Sequence, residues 1–344
     1  MDAFSQVLND VRLKGALYFT AELSAPWSVA SMPSRDMTTM LAPGATHLIV
    51  YHLLVDGVAR ATVRGGDTLI LGPGDIVVFP HGAQHELSDG SGPNNVSNEE
   101  MARKIMARDL SPMHAGGGGR ATRFVCGYLT CDPVLCGPIL ESLPAMFKVN
   151  VRTDRAGHWL EQSVLHLVEE SVSNRAGSEA MLAKLSEALF VDTLRRYVTG
   201  LPDQTTGWLA GARDPMIGKS LALLHARPEF PWTIADLAQE VGMSRSALVE
   251  RFTRYLSEPP MSYLTGWRLR LAAQLLAATP KGIGDIAADV GYESEAAFNR
   301  AFKRTFGLPP ARYRRERKSE TTVETVPASP SGPTPDERAR TSTR

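Results

Sequence analysis

Residues 234–263 and 283–313 carry one pattern written twice. Ile234-x-x-Leu237-Ala238-x-x-Val241-Gly242 returns as Ile283-x-x-Ile286-Ala287-x-x-Val290-Gly291. Phe252, Leu256, Ser257, Pro259, Pro260 and Tyr263 return as Phe302, Phe306, Gly307, Pro309, Pro310 and Tyr313. An internal repeat constrains the fold more than any composition value, because each copy must form the same supersecondary unit. Each copy reads helix, glycine turn, helix, the pattern of a helix-turn-helix. Two copies point to a chain that reads DNA at two successive places; the bland reading is a pair of helical hairpins that only fill a core.

Charge agrees with the first reading. The 344 residues carry no net charge, yet residues 212–318 hold 17 Lys/Arg against 11 Asp/Glu, so the remainder is acidic. A basic module on an acidic body is an electrostatic footprint for nucleic acid. No apolar run reaches the ~18 residues of a membrane span. The N-terminus lacks a signal-peptide pattern. The 3 cysteines, all between 126 and 136, argue against a disulfide scaffold. These features predict a cytoplasmic protein with no membrane partner.

In the first copy, Thr233 and Asp236 form a capping-box start. Gly242 can leave the helix through the left-handed region, and Ser244 can cap the next helix, 245–255. Leu248 and Phe252 point inward there; Arg245, Ser246, Val249, Glu250 and Arg251 point away. A recognition helix enters the major groove with its N-terminal turns leading, so these are base-edge candidates. In the second copy Phe298 and Phe302 are the inward pair of helix 295–305, and Ala296, Asn299, Arg300 and Lys303 face out. Arg can bond guanine bidentately and Asn adenine. Ser294, at the helix start, is a cap and a phosphate contact candidate. Arg304, Arg312, Arg314 and Arg315 are read as phosphate contacts. Residues 260–279, with a stripe of Met261, Leu264, Trp267, Leu271 and Leu275, predict a strut of roughly 30 Å. That length suits two major-groove segments ~34 Å apart.

The segments TIADLAQEVGMSRSALVERF and GIGDIAADVGYESEAAFNRAFKRTFGLPPARYR resemble the AraC/XylS family of transcription regulators. The resemblance covers about residues 214–315 and implies a seven-helix DNA-binding domain that uses both recognition helices. It assigns base-facing slots to Ser246, Val249 and Glu250, then to Ala296, Asn299 and Arg300. Glu250 departs from the longer neutral or basic residue of many relatives; it can accept from cytosine but repels phosphate.

Residues 17–87 are rich in β-branched and apolar runs (HLIVYHLLV, ATV, DTLIL, DIVVF) cut by Gly and Pro, which predicts short strands in a sandwich or barrel. Residues 88–120 read as a mobile insertion, and RFVCGYL resumes the strand pattern. From 156 to 199 the period is helical. Trp159, Leu160, Val164, Leu167 and Val168 share one face; Leu182, Leu185, Leu189 and Leu194 form another stripe. These helices either pair two protomers or cap the β-domain's own core. Residues 201–213 read as a linker and 317–344 as a disordered tail.

Gly74-x5-Pro80-x-Gly82-x2-His85 matches the second motif of the cupin superfamily, and residues 1–195 resemble the cupin-type sensor domain on one branch of the AraC/XylS regulators. Catalytic cupins hold a metal with two His and a Glu from the first motif and a His from the second. This chain offers only His47 and His52 there, with no Glu between 47 and 85. A binding-only barrel is therefore favoured over a metal-dependent enzyme. A reduced site of His52, His85 and Cys126 remains a candidate for zinc or another divalent ion, with His81, Cys131 or Cys136 as fourth ligand. The thiols also offer redox sensing, with Arg120 and Arg123 lowering the pKa of Cys126. A small organic effector in the barrel is the third option.

The sequence thus predicts a multidomain α+β chain: a cupin-like β-barrel over 1–155, helices over 156–200, and an all-α double helix-turn-helix domain over 214–316. The expected function is a dimeric, non-enzymatic, sequence-specific regulator of transcription. Its partners would be double-stranded promoter DNA, a small-molecule, metal or oxidant effector and, if it activates, RNA polymerase. No cofactor is required by this reading. The competing reading is a metal-dependent cupin enzyme with an accessory DNA-binding module.

Overall fold

A computed structural model describes residues 2–11, 13–92, 96–171 and 176–323. The N-terminal part opens with helix α1 (Ala3–Val11) and then, among the described residues, builds ten strands in two sheets. The larger sheet runs β10-β6-β3-β9-β1-β8 and comprises β1 (Lys14–Ser24), β3 (Leu48–Asp56), β6 (Asp75–Phe79), β8 (Met113–Gly116), β9 (Ala121–Thr130) and β10 (Phe147–Asn150). The smaller runs β2-β7-β4-β5, from β2 (Ser28–Ala30), β4 (Ala59–Val63), β5 (Thr68–Leu71) and β7 (His85–Ser88). All pairings are antiparallel except β1 with β8.

Strand β3 shows why the sequence is apolar at nearly every position. Its even members Leu48, Val50 and Leu54 join the core between the two sheets. Its odd members Ile49, Tyr51, Leu53 and Val55 join a second core on the outer face of the large sheet. Successive side chains alternate across a strand, so a strand with cover on both faces loses the polar half of its pattern. Gly74 turns the chain into β6 with φ +83°; a Cβ there would lie 2.6 Å from Arg152 Cγ, so the motif glycine makes room for that arginine.

The outer face is covered by α5 (Arg155–Ser171) and α6 (Ser178–Thr199). Leu160, Val164 and Val168, and Leu182, Leu189 and Leu194, are buried in that core. Tyr51 Oη meets Ser186 Oγ at the seam. Those members of the two stripes are thus consumed within the chain; the side chain of Leu167 lies outside what the structure describes, Trp159, expected on the apolar face, is 62% exposed, and Met181 is 56% exposed. A buried fork ties α5 to the sheet. Arg152 donates from Nε and Nη2 to Glu161, at 2.8 and 2.7 Å, and from Nη2 to Val55 O, and Glu161 is fully buried.

Three expected loops carry structure. Within the 88–120 insertion lie α3 (Asn98–Met106) and β8. Met101 and Ile105, one helical turn apart, bury themselves in the inter-sheet core; two apolar residues in so polar a stretch were enough once the helix aligned them. Residues 93–95 lie outside the described residues. The 201–213 linker ends in α7 (Trp208–Arg213), whose Trp208 and Leu209 are buried. The tail reading begins too early, because α14 (Pro310–Val323) continues past 317; residues 324–344 lie outside the described residues.

The C-terminal part is all helical: α7, α8 (Pro215–Ala226), α9 (Ile234–Val241), α10 (Arg245–Leu256), α11 (Pro260–Ala278), α12 (Ile283–Asp289), α13 (Glu295–Phe306) and α14. The seven helices from α8 onward form the two repeats around α11. The expected α11 stripe is corrected: Met261, Leu271 and Leu275 are half-buried, while Tyr263, Leu264, Trp267, Leu269, Ala272, Ala273 and Leu276 are buried. A strut gripped by two units buries different faces along its length. Residues up to Trp267 join one core and residues from Leu269 join another. The first core is continuous with that under the large sheet, through α1, α4 (Pro133–Leu140) and α7. Ser142 Oγ, from the sensor side, accepts the Trp208 N–H at 2.8 Å.

Candidate DNA-reading face and sensor pocket

Local chemistry sets both reading helices. Thr233 Oγ1 accepts from Asp236 N while the Asp236 carboxylate accepts from Thr233 N, the reciprocal capping box that starts α9. Gly242 ends α9 at φ 71°. Ser244 Oγ then accepts from Ala247 N to start α10, and Ser294 Oγ from Ala297 N to start α13. Leu248 and Phe252 anchor α10, and Phe298 and Phe302 anchor α13, all fully buried. With those faces fixed, Arg245, Ser246 and Glu250 are exposed and Val249 is half-buried beside them; Ala296, Arg300 and Lys303 are exposed and Asn299 is half-buried. The outward surface of α13 carries Arg300, Lys303 and Arg304, whereas that of α10 carries Glu250 beside Arg245.

Two expected contacts are engaged elsewhere. Arg251 turns back to Asp214, the N-cap of α8, with Nε and Nη2 at 3.0 and 2.5 Å from Oδ2. That hydrogen-bonded guanidinium holds the Asp214 carboxyl below its usual range against the opposing pull of burial. Arg314 closes the end of α11, donating from Nη2 to Lys281 O at 2.6 Å and from Nε to Leu276 O. Arg312 pairs with Glu316 at 2.8 Å, while Arg304 and Arg315 stay exposed.

The second feature lies between the sheets. His52 of β3 stands opposite Cys126 of β9 in register, and His85 starts β7. Cys126 Sγ is 2.8 Å from His52 Nδ1, and His52 Nε2 is 2.9 Å from His85 Nε2. His85 Nδ1 is 2.8 Å from Ala83 O, and its ring stacks on Phe79 at 3.7 Å. A carbonyl only accepts, so His85 Nδ1 carries its proton and His85 Nε2 is the acceptor. His52 Nε2–H then donates, His52 Nδ1 accepts, and Cys126 S–H donates. The chain of bonds is neutral and complete, as burial requires. Burial holds the His85 imidazole down at about 4 and pushes the His52 pKa well below its usual value, with His85 adding to that effect. Above the His52–His85 pair opens a cleft of about 390 Å³, its open mouth included. Its walls are Val29, Met32, Met37, Met40, Leu41, Leu87, Met101 and Ile105, with Ser31 as the remaining polar group. Helix α2 (Ser34–Leu41) and α3 supply most of the methionines.

Comparison with known proteins fits this division. A cupin family profile matches residues 2–199, and a helix-turn-helix domain profile matches residues 237–316. The HTH-type transcriptional regulator AlkR of Acinetobacter baylyi is 30% identical over 92% of this chain and 100% of its own length. The RCS-specific HTH-type transcriptional activator RclR of Escherichia coli is 26% identical, over 91% of this chain and 97% of its own. Among solved structures, an AraC-type DNA-binding domain-containing regulator from Chromobacterium violaceum is 33% identical over 30% of this chain and 92% of that one, with a TM-score of 0.29. The chain belongs to the AraC/XylS family of transcriptional regulators.

In this AraC/XylS regulator the cupin domain raises the question of a metal. His52, His85 and Cys126 do converge, but not on a common point. Cys126 addresses Nδ1 of His52 and His85 addresses Nε2, on opposite edges of one ring. A tetrahedral ion needs its donors' lone pairs aimed at one position about 2.0–2.3 Å away, whereas here the two imidazole lone pairs accept hydrogen bonds and Cys126 is the protonated donor to one of them. His81 Nε2 instead donates to Leu143 O at 3.2 Å, and Cys131 and Cys136 are buried free thiols at and within α4. Among the described residues no group of three or more His, Cys, Asp or Glu is arranged around an ion. The residues therefore do not fit a cupin metal. The redox reading of Cys126 also lacks its physical basis: burial raises the thiol pKa, and Arg123 points out towards Asp56, 4.0 Å away. The methionine-lined cleft was missed; its signal was the spacing Met32, Met37, Met40 with Met101, which means little until α2 and α3 meet.

Proposed function

We propose that this DNA-binding AraC/XylS regulator reads an asymmetric two-part site in promoter DNA and responds to a small, largely apolar molecule held in the cupin cleft. The observation that carries the DNA half is the pair of Ser-capped helices on one strut, alike in the positions of their buried apolar anchors and different in their outward residues. Ser246, Val249 and Glu250 would read one segment, and Ala296, Asn299 and Arg300 the next, with Arg245 and Lys303 flanking and Ser294 at the backbone. Cleft chemistry supports the effector half. Its walls are aliphatic and thioether, soft surfaces that adapt to apolar ligands, and the two imidazoles are already satisfied by each other. Ser31 Oγ accepts from the His85 N–H at 2.9 Å, which leaves its hydroxyl proton for one acceptor atom on the ligand.

In this reading the regulator acts in the cytoplasm without catalysing a reaction or using a cofactor. Two protomers pair through the outer faces of α5 and α6, where Trp159 and Met181 stand exposed, and RNA polymerase is the further partner where the output is activation. Footprinting of the purified protein on its own promoter region, with and without a panel of small apolar compounds, is the test. Protection of two adjacent unlike segments, altered by one compound class, is expected. Absence of any sequence-dependent protection removes the DNA reading. Response to hypochlorous acid or to zinc alone, with no response to apolar compounds, removes the effector assignment.

A further inference from the structure

The two reading units also meet beside the strut, and Arg268 lies there. It sits on α11 between Trp267, which closes the core of the first unit, and Leu269, which opens that of the second. It is half-buried, and its guanidinium is engaged by the chain rather than held out as a phosphate contact would be. It donates from Nε to Pro228 O at 2.6 Å and from Nη2 to Phe230 O at 2.7 Å. Both carbonyls belong to the loop from α8 to α9, in the first unit. That loop is stiff: Phe230 N bonds Arg227 O, Trp232 N bonds Phe230 O, Trp232 Nε1 donates to Arg227 O, and the Arg227 guanidinium covers both aromatic rings.

Against the same loop packs Gly291, the turn glycine of the second unit. At φ +82° it has no space for a side chain: a Cβ would lie 2.7 Å from Glu229 O and 2.9 Å from Arg268 Nη2. One guanidinium therefore meets the loop of one helix-turn-helix and the turn of the other. A straight helix alone fixes the distance between two units but leaves their rotation about its axis to side-chain packing. A fork bonded to two carbonyls beside a glycine contact fixes rotation as well.

We propose that Arg268 is a positioning residue that sets the spacing and angle between α10 and α13, and thereby the number of base pairs separating the two halves of the DNA site. The proposal rests on the reading that both helices contact DNA. One added base pair moves the second half by about 3.4 Å and turns it by about 34°. A locked pair of helices cannot follow that rotation; an unlocked pair follows it in part.

The experiment selects binding sequences from a random duplex library with the full-length protein, then measures affinity for the selected duplex and for versions with one base pair added or removed between the halves. Wild type is expected to give a two-part motif of fixed spacing and to lose roughly ten- to hundred-fold affinity on either change. R268M keeps the aliphatic stem and removes the donors. It is expected to select the same two half-motifs at mixed spacings, with losses on the spacing series below about three-fold. R268K, with one donor head in place of the fork, should fall between. If R268M folds, by its circular dichroism, and still selects one spacing with the wild-type penalty, the proposal is overturned. If R268M does not fold, R268K decides on the same series: broadened spacing supports the proposal and wild-type spacing overturns it. A wild-type pool with only a single half-motif, or none, overturns both the two-helix reading and the lock; a fixed motif for every variant overturns the lock alone.

Discussion

Acid should weaken this chain through His225. The imidazole is buried in α8 between rings, 4.1 Å from Trp267 and nearly parallel to it, with Nε2 2.7 Å from Tyr263 Oη. Tyr263 Oη also accepts from Trp208 Nε1 at 2.7 Å, so the tyrosine proton goes to His225 Nε2. Nδ1 then carries the ring proton and meets no partner among the described residues. A second proton would charge a ring that burial has already closed off, with Arg270 adding repulsion, and its pKa falls from 6.5 to about 3. The folded-state value lies below the unfolded one, so this contribution to stability is complete above pH 6.5 and is lost as pH falls towards 3. The loss is about 1.4 kcal/mol per pH unit, hence about 2.7 kcal/mol by pH 4.5. Other buried histidines add to the total, and a variant separates them. His225→Phe keeps the stacked ring but cannot bind a proton. It should cost about 1–2 kcal/mol at pH 7.5, because Tyr263 loses its acceptor. Between pH 6.5 and 4.5 its stability should then fall less steeply than that of wild type, by about one proton's worth. Urea unfolding followed by tryptophan fluorescence at several pH values measures both curves, since Trp208 and Trp267 report from the same core. Parallel curves would refute the argument, whatever the offset between them.

Other outcomes follow from the same geometry. Arg152→Met strands the buried Glu161 carboxylate and should cost about 3–5 kcal/mol in chemical denaturation, while adding Glu161→Gln to it should recover part of that. Arg300→Ala should weaken operator binding by about 1–3 kcal/mol and relax preference at one or two base pairs. Arg251→Ala should instead lower stability and leave base preference unchanged in the same selection assay, because Asp214 is its partner. Met40→Trp, which fills the mouth of the cleft, should abolish the response to an apolar effector with operator affinity retained, as read by gel shift with and without the compound.

Legibility in the sequence followed the range of the interactions. The caps at Thr233, Ser244 and Ser294 and the buried pairs Leu248/Phe252 and Phe298/Phe302 rest on contacts within four residues, so the reading helices and their outward faces emerged from the period alone. Arg251 and Arg314 share that outward placement along the chain, yet their partners Asp214 and Leu276 lie 37 and 38 residues away. A long side chain can swing to such a partner, and no periodicity reveals it. His52, His85 and Cys126 were a candidate trio on the cupin motif, and the structure sets them side by side. Which edge of the imidazole each neighbour would take was not legible, and that detail separates a hydrogen-bonded relay from an ion site. Helices α3 and α7 hid in stretches rich in turn residues, because a pair of apolar side chains anchors each, Met101 with Ile105 and Trp208 with Leu209, and composition averages them away.

The core that runs unbroken from α1 and the large sheet into α8–α11 has a consequence for how the molecule melts. Ile217, Leu221 and Leu224 share that core with Val7 and Leu135, so the cupin domain and the first reading unit should unfold in a single cooperative transition. The second unit, with its own cluster around Phe298 and Phe302, is the part free to fray independently. Cutting the chain at residue 213 would therefore not liberate a native DNA-binding half; it would bare an apolar face that the sensor normally covers, and transplanting either half onto a foreign partner would inherit that exposed seam.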